Sequence, residues 1–137
     1  MREPQRTTIG AWAYSVRPLP AGPGLALLAR LARMLGPGVA GLLEGGGGAA
    51  IGRALSQLLE RVAPEEVVEI ARQLAATTEV SQFGARAPAS LAEVFDVHFA
   101  GDYLSLVDWL RFALEVNFGP FAVALAGRLG RGAPPAA

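Results

Sequence analysis

From Asp102 to Val116 the chain places polar side chains only at Asp102, Ser105, Asp108, Arg111 and Glu115. On a helix these trace one narrow stripe, in which Asp108 with Arg111 and Arg111 with Glu115 stand three and four apart and can meet. Everything between them is apolar: Tyr103, Leu104, Leu106, Val107, Trp109, Leu110, Phe112, Ala113, Leu114 and Val116. A helix that is apolar over most of its girth must be covered on several sides. In a chain of 137 residues, which can bury one core, it is either the central core helix or a core helix that also meets a partner.

The remaining segments are what must cover it. Trp12, Tyr14 and Val16 alternate with Ala11, Ala13, Ser15 and Arg17, the pattern of a strand with one apolar face. With a first strand near residues 5–9 and a turn at Gly10-Ala11, this predicts a hairpin, which is marginal alone and has to lie against something. Pro20-Ala-Gly-Pro-Gly marks the switch to a helix over Leu25–Leu35, which Gly36-Pro37-Gly38 stops, with further turns expected over Val39–Glu44. Gly45–Gly48 predict a mobile loop. Helical spacing returns at Ile51, Leu55, Leu58, Leu59 and Val62. Pro64 then fits the first position of a helix with Glu65 and Glu66 at its positive end.

Thr77–Ser90 reads as a polar connection with a short extended piece. Ser90 and Glu93 have capping-box spacing, so a short helix is expected over Leu91–Phe99. The long helix starts at Gly101-Asp102, with Asp102 as its cap, and Asn117-Phe-Gly-Pro is helix-ending chemistry. A last amphipathic helix is expected over Phe121–Leu129. The fold class that results is mainly α, a bundle of about four to six helices with a small N-terminal β-hairpin. Residues 1–130 form the single domain and 131–137 a flexible tail.

Composition removes several functions. Without cysteine there is no disulfide scaffold, cysteine nucleophile or cysteine metal site, and one histidine leaves a common zinc site short of its second. The glycine run is not a nucleotide loop, because no lysine exists to follow it. MREPQRTTIG has no apolar core for a signal peptide, and charges interrupt every apolar run before bilayer length, so no membrane association is expected. Residues 1–43 balance to +4, residues 44–115 to −6 and the last 22 to +2. No dense basic stripe results, which disfavours nucleic acid, while an acidic middle between basic ends favours self-association.

Residues 95–121 hold the only histidine, one of two tryptophans, one of two tyrosines and five of six phenylalanines. Asp96-x-His98 is the most enzyme-like pair, yet side chains two apart on a helix do not face each other. Asp102 and Asp108, six apart, suit a solvated stripe better than a paired acid and base. Ser81, Ser90 and Ser105 have no nucleophile context, and Trp109, Phe112 and Phe118 have only Arg111 among them, short of the interleaved arginines of a base-stacking platform. These readings leave no catalytic, cofactor or metal residue, and favour a core or a protein interface.

Phe95-Asp-Val-His-Phe-Ala-Gly-Asp-Tyr, the apolar helix, and Ala113-Leu-Glu-Val-Asn-Phe-Gly-Pro-Phe together resemble the C-terminal signature of tail assembly chaperones of long-tailed bacteriophages. The specific elements are His98–Gly101 and Asn117–Gly119. Val16-Arg-Pro-Leu-Pro-Ala and Leu28-Ala-Arg-Leu-Ala-Arg-Met-Leu-Gly-Pro extend the likeness over most of the chain. The acid and second phenylalanine that the family often carries after Asn-Phe-Gly are replaced here by Pro120-Phe121-Ala122. The resemblance implies a non-enzymatic assembly factor of the bacterial host cytoplasm, absent from the finished particle. It implies binding to the tape-measure protein, which it keeps soluble, and assistance to tail-tube subunits. The alternative is a helical scaffold or adaptor retained permanently in a phage particle. Candidate protein-contact residues are Phe99, Tyr103, Leu106, Trp109, Leu110, Phe118 and Phe121, which the sequence does not divide between core and interface.

Overall fold

A turn at Gly10-Ala11 folds two strands together in the computed structural model, which describes residues 3–35, 53, 56–57, 59–82 and 87–132. Strand β1 (Gln5–Ile9) pairs antiparallel with β2 (Trp12–Val16), with Ile9 opposite Trp12, so the loop has only two residues. Gly10 takes φ +60°, and no non-glycine residue has positive φ among those described. A positive φ at the first loop position alone is the type II′ arrangement, whose twist matches that of the strands.

Helix α1 spans Ala21–Leu35. It begins before Leu25, where the expected helix started, because Pro23 lies in the first turn, where a missing N–H breaks no helical bond. Residues 59–61 are helical, and α2 (Pro64–Ala75) follows with proline at its start and Glu65 and Glu66 in its first turn. The extended piece expected between residues 77 and 90 is β3 (Thr78–Gln82), with a two-residue β4 (Ala89–Ser90). Helices α3 (Leu91–His98) and α4 (Tyr103–Gly132) complete the chain. Gly45–Gly48, the turns expected over Val39–Glu44, and residues 133–137 lie outside the described residues.

The four strands form one antiparallel sheet in the order β1-β2-β3-β4. The hairpin is thus extended by a strand about sixty residues later in the chain, with Tyr14 opposite Val80 and Val16 opposite Thr78. Tyr14, Val16 and Val80 face inward to a core completed by Leu27 and Leu31 of α1, Ile70 and Leu74 of α2, Leu91 and Phe95 of α3, and Trp109, Leu110, Ala113 and Leu114 of α4. The alternate residues Arg6, Ser15, Glu79 and Ser81 line a shallow depression on the other face. The protein is therefore mainly helical with an N-terminal hairpin, as the sequence predicts, and α4 is its central helix.

Trp109 is 0% exposed. Its indole Nε1 donates to Thr78 Oγ1 at 3.3 Å, and that hydroxyl donates to the Leu74 carbonyl at 2.9 Å. One buried threonine thereby joins α4, β3 and α2. Thr78→Val keeps the shape but orphans the indole N–H, so urea unfolding should show a loss of about 1–3 kcal/mol.

Four sequence expectations need correction. Helix α4 does not stop at Asn117-Phe-Gly-Pro but runs through it to Gly132, with no separate helix over Phe121–Leu129. Pro120 removes one N–H, and a glycine at 119, without a Cβ, is less strongly biased away from the helical region by a following proline. Tertiary bonds also hold the segment: Phe118 is buried, Asn117 Oδ1 accepts the Leu19 N–H at 2.8 Å, and Asn117 Nδ2 donates to the Ala113 carbonyl. Ser90 sits at the N-cap of α3 without making the capping bond; it is already paired with Glu79 in the sheet. Asp108–Arg111 and Arg111–Glu115 are not among the ion pairs of the described residues. Asp108 is short, and arginine before glutamate is the weaker order. The pairs that form cross between elements, Arg30 to Glu66 and Glu69, and Arg72 to Asp96. The Arg30 hydrogen bond holds the Glu69 carboxyl below its ordinary range.

Candidate functional site

The turn from α3 into α4 is built by local rules. Phe99 caps α3, its N–H donating to the Phe95 carbonyl; the Asp102 N–H donates to the Phe99 carbonyl, and Gly101 supplies φ +74° between them. Asp102 then caps α4 as expected, its carboxylate accepting the Ser105 N–H at 3.2 Å and the Ser105 hydroxyl at 2.7 Å.

Beneath this corner lies an aromatic cluster. The Phe99 ring stacks parallel to Tyr14 at 6.3 Å and packs 5.7 Å from Trp109, while Phe95 meets both Phe99 and Trp109 edge-on. His98 presents an edge to Trp12 at 4.7 Å, and its Nε2 lies 2.7 Å from the Tyr14 hydroxyl. Burial, reinforced by the nearby Asp102 charge, pushes the Tyr14 phenol up to about 12. Burial also lowers the His98 imidazole below its ordinary 6.5, with Asp102 opposing. Both groups are therefore neutral at neutral pH, and the imidazole tautomer sets which of them donates in the bond between them.

Asp96 points elsewhere. Arg72 grips both its oxygens at 2.8 and 3.0 Å and lies over the Phe95 ring. An imidazole bonded to a phenol, with its neighbouring carboxylate held by an arginine, lacks the oriented base of an acid–base site. Among the described residues, no three His, Asp or Glu side chains gather in a way that suits a metal ion. No helix among them is long and apolar enough to cross a membrane.

The apolar candidates divide sharply. Phe99, Trp109, Leu110 and Phe118 are buried and Leu106 is half-buried, whereas Tyr103 is 73% exposed. Phe121 lies in α4, with its side chain outside the described residues. Two further residues stand out at the corner, Val97 at 84% and Leu104 at 81% exposure. Both were legible in principle. Leu104 shares its helical phase with Asp108, Arg111 and Glu115, and Val97 lies off the Leu91, Phe95 and His98 face of α3. The corner thus offers three large apolar side chains to solvent within eight residues, on a rigid aromatic base. That arrangement suits contact with another apolar surface.

Comparison with known proteins gives one finding. A family model described as phage tail assembly chaperone protein, TAC, matches residues 10–129. No curated protein and no solved structure matches the chain.

Proposed function

The chain belongs to the phage tail assembly chaperone family, and from that premise we propose that it binds the tape-measure protein of a long-tailed phage or prophage. On this reading it keeps that client soluble and assists tail-tube subunits to assemble around it. It acts in the host cytoplasm, associates with further copies of itself along the client, and leaves before the particle is finished. It is a binding protein and not an enzyme.

The observation that carries this reading is the exposed corner of Val97, Tyr103 and Leu104, with the exposed Trp12 packed against His98 beside it, over the buried Tyr14, Phe95, Phe99 and Trp109. A chaperone for a long apolar helix needs apolar anchors on its surface, and each anchor of this size is worth about 1.5–3 kcal/mol when fully covered. The half-buried Leu106 and the buried Phe99, Trp109, Leu110 and Phe118 hold the corner in place from beneath.

Co-expression with the tape-measure protein of the same phage, affinity capture, and mass measurement of the soluble complex test the proposal. The expected result is a client that is insoluble alone and recovered in a complex of several chaperone copies. A well-folded chain that leaves the client insoluble and uncaptured overturns it. In that event, recovery of the chain from purified particles would establish the permanent scaffold.

A further inference from the structure

We propose that Tyr14 and His98 form a latch that sets the position of the Val97–Leu104 corner, which makes His98 a positioning residue for client binding. The inference rests on the functional reading above and extends it to how the contact surface is held.

The argument starts from what ties the corner down. Its backbone bonds are local turns: Phe99 N–H to the Phe95 carbonyl, Ala100 N–H to that of Val97, Asp102 N–H to that of Phe99. Its remaining side-chain bonds are also local, from the Ser105 N–H and hydroxyl to the Asp102 carboxylate. Among the described residues, one polar side-chain bond links residues 97–104 to a distant element, and that is Tyr14 to His98, 84 positions apart. Tyr14 holds two consecutive corner residues at once, His98 through its hydroxyl and Phe99 through its ring. Val97 precedes His98 directly, so a rotation at His98 moves Val97.

The latch also makes the corner sensitive to acid. Tyr14 from β2 and Asp102 from the turn are the titratable groups acting on His98. Asp96, on its own helix, is engaged with Arg72 of α2. Opposite Trp12 and Tyr14, β1 offers Ile9 and Thr7, and β3 offers Gln82 and Val80, none charged. With burial holding the folded imidazole below 6.5, the packed corner is fully favoured above pH 6.5. As pH falls through the lowered folded value the ring takes up a charge in a part-buried site, which disfavours that packing even though Nε2–H can still donate to the Tyr14 oxygen.

Two variants separate the latch from the fold: Tyr14→Phe keeps the ring and removes the hydroxyl, and His98→Phe keeps the ring shape and removes titration. Amide hydrogen exchange on the free chain should accelerate about tenfold across residues 97–104 in both, with α2 and β3 unchanged. Capture of the tape-measure protein should weaken by about tenfold in both. Wild-type capture should fall as pH drops below 6.5, and His98→Phe should flatten that profile. Unchanged exchange at residues 97–104 overturns the latch without reference to any client. Faster exchange with undiminished capture overturns the positioning role. A variant stripped of the exposed corner side chains that captures normally removes the corner from the contact surface and the latch's role with it, whereas a wild-type chain that captures no client overturns the functional reading instead.

Discussion

Trp109→Ala is expected to lose about 3–5 kcal/mol of folding stability, the range for deleting a buried large aromatic. A domain of this size has about 5–15 kcal/mol in total, so the variant should be largely unfolded at mild denaturant or moderately raised temperature. The reasons are local and specific. The indole sits fully buried between Phe95 and Phe99, and its N–H meets Thr78. Its removal opens a void where α3 and α4 join, and it takes away the bond from α4 to β3. Chemical denaturation followed by circular dichroism would measure the loss. A deficit below about 1 kcal/mol would mean that the indole is not sealed in the core. Client capture should vanish together with the fold, so this variant cannot by itself locate a contact surface.

The converse behaviour is expected of the corner. Val97→Gln combined with Leu104→Glu should leave the melting temperature within a few degrees of wild type. Both side chains are exposed, glutamine suits a helix better than valine, and a glutamate in the first turn of α4 complements the helix dipole. Capture of the tape-measure protein should weaken roughly a hundredfold, the effect of losing about 3 kcal/mol of apolar contact. Competition capture against wild type, with melting measured on the same samples, checks both halves. A stable variant with undiminished capture would remove the corner from the contact surface.

These two variants act on side chains that look alike in the sequence. Leu104 and Trp109 belong to one apolar helix, five positions apart, and one is 81% exposed while the other is 0%. Part of that division was legible, because Leu104 falls in phase with the polar stripe. Tyr103 was not legible in that way: it shares the phase of Leu110 and Leu114, both buried. Its exposure arises because the first turn of α4 overhangs the core, and where a neighbouring element ends is not written in a helix's own period.

The sequence by itself determined the features that depend on a few adjacent residues. Gly10 set the hairpin turn, Pro64 and its two glutamates the start of α2, and Asp102 the cap of α4. The girth of apolar residues after Asp102 determined that this helix would be central. In each case the physical cause lies in backbone geometry, hydrogen-bond donors or periodicity within a turn or two. Tertiary structure decided the rest. It carried α4 past Gly119-Pro120, because Asn117 found Leu19 and Phe118 found the core. It placed β3 beside β2, and it gave His98 a partner 84 residues away. Those outcomes depend on which distant surfaces meet, and the energy of that meeting exceeds the local preferences that a short stretch of sequence displays.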